Sequence, residues 1–209
     1  AYEIRNCDWS SDVCSSDLMP VRNRSAVPQA PRQVQQILAA ELQRSGRFEV
    51  VMAQGDGEDP DTGSVFTSGT FDEEALDRIR QRYNVTGIIF SEITQFHAYN
   101  PPRLGLNVLM VDPAESVVVA SVDGVWDLRE AQTLAKVRAY THDKLDFPQS
   151  LFRDDRALES PDALLRFVGH DIAKTLEAST QKLMPIDPSV LSAGTSPVPT
   201  GTNTLPPSS

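Results

Sequence analysis

The chain has 209 residues, of which 23% are charged, and carries a net charge of -10. A surplus of carboxylates repels phosphate, which argues against a protein that tracks a nucleic-acid backbone and against a polybasic membrane-surface patch. No apolar run approaches the ~20 residues a membrane-crossing helix needs.

The first eighteen residues, AYEIRNCDWSSDVCSSDL, resemble a translated sequencing adapter. Asp8 through Leu18 follow one reading frame of a fixed oligonucleotide without mismatch, and Ala1 to Ile4 match its leader. The resemblance implies that residues 1–18 are foreign to the fold, that the domain begins at Met19, and that the natural start is not in this chain. Cys7 and Cys14 both lie in this segment. The rest of the chain therefore has no thiol for a disulfide or a cysteine-ligated zinc. Without Glu3, Asp8, Asp12, Asp17 and Arg5 the net charge is -7.

Met19 to Val27 reads as the end of a strand whose body is missing. A helix is predicted from Pro31 to Ser45, with Val34, Ile37, Leu38, Glu41 and Leu42 on one stripe and Gly46 as a left-handed stop. Arg47 to Met52 follows as a short strand with Phe48, Val50 and Met52 on one face. A helix leading directly into a strand points to an α/β unit. Residues 54–67 form a Gly- and Asp-rich loop. Thr70 and Glu73 have capping-box spacing, and the helix they open, 72–83, buries Ala75, Leu76, Ile79 and Tyr83 before Asn84 ends it.

From Val85 to Phe96 runs a long strand, apolar on both faces in its first half, as a covered central strand is. Pro101 and Pro102 stop it. Leu104, Leu106, Val108 and Met110 alternate in the next strand, residues 112–116 make the turn, and Val117 to Trp126 returns, so the three strands read as an antiparallel meander. Asp127 and Glu130 have cap spacing before a helix over 129–142 that presents Ala131, Leu134, Val137 and Tyr140. Residues 143–159 are irregular, with Leu151 and Phe152 as anchors. Ser160-Pro161-Asp162 starts a helix to Leu183, striped by Leu164, Leu165, Phe167, Val168, Ile172 and Leu176. Residues 184–209 are rich in Pro, Ser, Thr and Gly and lack aromatics, which predicts a disordered tail.

No reactive motif stands out in the sequence. The histidines, His97, His142 and His170, have no ligand-pair spacing, and neither a nucleophile elbow nor a phosphate-cradling glycine loop is present. Asp56, Glu58, Asp59 and Asp61 lack the ligand spacing of a calcium loop. No catalytic, cofactor-binding or metal-binding residue is therefore assigned. The most unusual cluster is Phe96, His97, Tyr99, Asn100, Pro101, Pro102 and Arg103. Aromatics and arginine at a rigid turn suit a recognition surface, and Phe96, His97, Tyr99, Asn100 and Arg103 are its expected contact residues.

Scattered motifs carry a family resemblance. Pro20 to Ser25 has a P-x-x-N-x-S turn, Gly46 to Val51 reads G-R-F-x-V-V after a helix, Tyr83 to Ile89 enters a central strand, and Val108 to Val119 forms a hairpin. In these the chain resembles a group of bacterial envelope proteins: the curli-secretion lipoprotein, the lipoprotein activators of penicillin-binding proteins, and the amino-terminal domain of TolB. Phe90-Ser91-Glu92 and Ala114-Glu115-Ser116 depart from the group's pattern, and the long insertions that build a pore are missing. The resemblance implies a single α/β domain over residues 19–183, with a mixed sheet of four or five strands and helices packed on its faces. It implies a non-enzymatic periplasmic adaptor that binds another envelope protein, such as a cell-wall synthase or a secretion component, and meets the outer membrane only through a lost amino-terminal lipid anchor. The alternative reading is a small-molecule-binding or hydrolytic α/β domain with its site at the sheet edge, near Asn23 and the acidic loop.

Overall fold

A computed structural model of the chain describes residues 14–53, 72–144 and 160–182. The acidic loop, Thr70, the anchors Leu151 and Phe152 and the tail lie outside them. In chain order the elements are β1 (Cys14–Leu18), β2 (Arg22–Asn23), α1 (Ala30–Arg44), β3 (Phe48–Met52), α2 (Glu73–Tyr83), β4 (Gly87–His97), β5 (Arg103–Asp112), β6 (Val117–Asp127), α3 (Ala131–Lys144) and α4 (Pro161–Lys182). They form the mixed α/β sheet that the sequence predicts. The sheet order is β3-β1-β4-β5-β6, with β2 pairing β4 beyond the end of β1, which makes six strands among the described residues. The pairs β3-β1, β1-β4 and β2-β4 are parallel, and β4-β5-β6 is the antiparallel meander.

The sheet takes in Cys14–Leu18, five residues upstream of the Met19 boundary that the adapter resemblance implies. The segment Met19 to Val27, read as a strand end, follows β1 and holds the two-residue β2. Strand β1 sits between β3 and β4, with Ser16, Asp17 and Leu18 fully buried.

Local chemistry explains the helix boundaries. Pro31 stands in the first turn of α1, where its missing N–H costs nothing. Gly46 follows the helix at φ +74°, a conformation that would strain any residue with a Cβ. At α2 the cap is Asp72, whose carboxylate accepts from the Glu74 N–H at 3.1 Å. Asn84 closes that helix in the left-handed region at φ 51°. Ser160 caps α4, its hydroxyl accepting from the Ala163 N–H at 3.2 Å. Helix α3 begins two residues later than its pattern predicts, because the Asp127 carboxylate holds the Arg129 N–H at 2.9 Å in the turn before it. Ala131 is consequently exposed, and Thr133 and Thr141 are buried alongside Val137 and Tyr140.

Apolar side chains cover both faces of the sheet. On one face, Leu18, Ile89, Ile93, Leu106, Val108 and Met110 meet Val34, Leu38 and Leu42 of α1 and Leu164, Val168, Ile172 and Leu176 of α4. On the other, Ile88, Phe90 and Val111 meet Leu76 and Ile79 of α2. Strand β4 feeds both clusters alternately, which is why its first half reads as an uninterrupted apolar run. Each such side chain contributes roughly 1.5–3 kcal/mol on burial.

Polar groups also lie beneath the helices. Glu41, on the apolar stripe of α1, is 2% exposed. One oxygen, Oε1, accepts from the Tyr140 hydroxyl of α3 at 3.2 Å and from Arg44, while Oε2 lies 3.8 Å from His170 Nδ1 of α4. The tyrosine hydroxyl is held un-ionised, its pKa pushed up to about 12 by burial and by the neighbouring Glu41 carboxylate. Tyr140→Phe is expected to lower stability by about 1–2 kcal/mol, the worth of a hydrogen bond to a charged acceptor. Urea denaturation of the two proteins checks this, and an unchanged midpoint would count against the contact.

Candidate functional site

The β4-β5 hairpin owes its end geometry to a bulge. Ile93 pairs with Leu106 and Gln95 with Gly105, so Thr94 is the extra residue. One extra residue reverses the alternation of side chains beyond it. Phe96, opposite Leu104, therefore turns to the α1/α4 face and joins the core at 8% exposure. His97, opposite Arg103, turns to the other face. Gly105 permits this close approach. A Cβ there would fall on Thr94 Oγ1 and lie 2.7 Å from Gln95 Cγ.

Beyond the bulge, His97, Tyr99, Asn100, Pro101 and Arg103 gather with Arg129 around an open cavity of about 240 Å³. Four of the five residues expected from sequence to make partner contacts, His97, Tyr99, Asn100 and Arg103, thus line one pocket. The fifth, Phe96, supports it from the core. Tyr99 is 82% exposed, a large aromatic held in water at the tip. The Asn100–Pro101 peptide is cis.

Arg129 enters from the segment after β6, and it is the lining residue that the sequence reading missed. Its Nε donates to both oxygens of Asp127, at 3.0 and 2.9 Å, and Nη2 reaches Oδ2. That fork–fork pair is specific to guanidinium and carboxylate. Hydrogen bonding from Arg129 pulls the Asp127 carboxyl down to about pKa 2. The Leu128 N–H donates to the Pro102 carbonyl at 3.2 Å, tying this segment to the hairpin. The only advance signal was Asp127 two residues before Arg129, a spacing that reads first as a helix cap.

A carboxyl depressed in the folded state stabilises above its unfolded pKa, and the contribution fades as pH falls through the folded value. The Asp127–Arg129 clasp therefore holds unchanged above about pH 4 and opens only as pH falls toward about 2. A carboxyl chemical-shift titration of Asp127 checks this; a midpoint near 4 would contradict the clasp.

At the other expected place, near Asn23, the side chains serve the turn itself. Asn23 Oδ1 accepts from the Ser25 N–H at 2.9 Å and from the Ser25 hydroxyl at 2.6 Å, and Nδ2 donates to the Val27 carbonyl at 3.0 Å. Beside it, Glu92 is buried between Arg22, at 3.6 Å, and Arg24. Among the described residues no group of three or more His, Cys, Asp or Glu side chains is placed to hold a metal ion.

No family model matches the chain, and no curated protein matches it. Solved structures do resemble it. The lipoprotein GNA1162 from Neisseria meningitidis is 12% identical over 62% of this chain and 96% of its own, with a TM-score of 0.42. The LpoB C-terminal domain from Salmonella enterica is 14% identical over 56% of this chain and 84% of its own, at 0.39. TolB from Acinetobacter baumannii is 11% identical over 82% of this chain and 29% of its own, at 0.38. A lipoprotein activator of penicillin-binding proteins and TolB, both named in the sequence resemblance, are thus among the chain's structural neighbours. Each likeness is one of chain path, at identities too low to carry side-chain roles.

Proposed function

We propose that the protein is a non-enzymatic adaptor of the bacterial cell envelope that grips another envelope protein with the tip of the β4-β5 hairpin. The observation that carries this reading is the convergence of His97, Tyr99, Asn100, Pro101 and Arg103 with Arg129 around one cavity. A rigid turn bearing an exposed aromatic and guanidinium groups has the composition of an interface anchor. Its chemistry fits a partner segment with a carboxylate beside an apolar side chain: the arginines offer N–H donors, and Tyr99 offers a flat apolar face. The partner is a cell-wall synthase or a secretion component, met in the periplasm.

The test places a photo-crosslinking residue at Tyr99 of the full chain in bacterial cells, with Glu115, in the β5-β6 turn, as the control position. An adduct to one envelope protein from Tyr99, absent from Glu115 and lost on Arg103→Glu, is expected. Equal adducts from both positions would contradict the reading.

A further inference from the structure

Strand β6 is eleven residues long and, among the described residues, pairs only with β5. Its outer edge therefore offers a row of backbone N–H and C=O groups to another strand. Three of its valines are close to half exposed: Val117 at 47%, Val118 at 45% and Val125 at 53%. An edge strand that is long, apolar and accessible is a pairing surface, and its side chains state what it can pair with.

The faces follow from the register. Ala120 pairs with Met110 and Val118 with Val111, so Val119 is an extra, bulged residue. Val118, Ser121, Asp123 and Val125 then lie on the α2 face, opposite Val111, Leu109, Asn107 and Gly105.

We propose that β6 is the surface through which two copies of this chain associate, by antiparallel pairing about a two-fold axis at Val122. In that register Ser121 of each copy faces Asp123 of the other, and the serine hydroxyl can donate to the carboxylate. The bulge absorbs one residue, and Val118 of each copy faces Val125 of the other. Apolar meets apolar, and the one outward charge meets a hydroxyl. Neighbouring registers lack this match: an axis at Asp123 opposes two carboxylates, and an axis at Ser121 sets Val118 against Asp123. A slip by one residue moves every side chain to the wrong face. The strand is self-complementary, as a two-fold interface must be.

Cysteine pairs read the register directly. In full-length chain with Cys7→Ser and Cys14→Ser, one preparation carries Ser121→Cys and another Asp123→Cys. Directly opposed residues fall within disulfide reach and diagonal ones beyond it. On mixing under mild oxidation, the two preparations are expected to form severalfold more disulfide-linked dimer than either alone. Light scattering is expected to give a dimer mass for the unsubstituted chain and a monomer mass for Val125→Glu, with Val118→Glu as a second variant should the first not keep its circular-dichroism melt. A monomer at the highest soluble concentration, a dimer that survives both substitutions, or equal cross-linking in every combination would overturn the proposal.

Discussion

Replacing Asp17 with valine is expected to stabilise the protein by roughly 2–3 kcal/mol at pH 7.5, an unusual gain for a single substitution. Asp17 is fully buried in β1 between β3 and β4, and neither carboxylate oxygen has a hydrogen-bond partner among the described residues. Loss of water raises its pKa to about 6, a shift that the Arg82 charge only partly offsets. The sign of the pH dependence follows. A carboxyl raised in the folded state binds its proton more tightly there, so its contribution to stability is fullest below its unfolded pKa of about 3.9 and is lost as pH rises through the folded value. The unsubstituted chain is therefore expected to lose stability between pH 4 and 7, whereas Asp17→Val lacks that slope. Urea denaturation across this range checks both. A destabilised valine variant, or identical slopes, would contradict the account.

We propose that Asp17 is foreign to this place, as the adapter resemblance of Asp8–Leu18 implies. A strand covered on both faces is ordinarily apolar throughout. Here Asp17 stands between Val51 of β3 and Ile88 of β4, and Ser16 between Val50 and Gly87. A gain in stability from Asp17→Val would support that reading, and a loss would count against it.

The second large effect is expected at Gly105. Gly105→Val is predicted to cost about 2–4 kcal/mol, because its Cβ would fall on Thr94 Oγ1 and meet Gln95 Cγ at 2.7 Å, so both side chains must shift. Either the bulge is expelled, which turns Phe96 out of the core and His97 into it, or the hairpin end melts. Thermal unfolding reads the cost. Loss of the Tyr99 cross-link in a variant that still folds at low temperature reads the change of face. A valine variant with unchanged melting and unchanged cross-linking would show that the bulge does not set the site.

The element order was legible because its punctuation is chemical. Gly46, Asn84, Pro101, Pro102 and Ser160 each mark an end or a start that the structure keeps, and the both-face burial of β4 followed from Ile88-Ile89-Phe90. What escaped notice depends on tertiary pairing. A bulge at Thr94 shifts phase only when β5 is opposite it, so the sequence alone assigned Phe96 to the surface with its neighbours. Arg129 carries no pattern of its own; it reaches the pocket because Asp127 holds it and because β6 ends beside the hairpin. Glu41 kept an apolar position because Tyr140 and His170, about a hundred and more residues away in the chain, bring it polar company. Strand β1 is a separate case: Cys14–Leu18, which the adapter resemblance excludes, pair with both β3 and β4.

The most direct test of the hairpin as the contact surface is the affinity of the partner caught at Tyr99, titrated calorimetrically against three proteins. The unsubstituted chain and Glu115→Ala are expected to bind alike. The double variant Tyr99→Ala, Arg103→Glu is expected to bind at least tenfold more weakly, since anchor residues of this kind carry about 2 kcal/mol or more. Equal affinity for all three proteins would contradict the account.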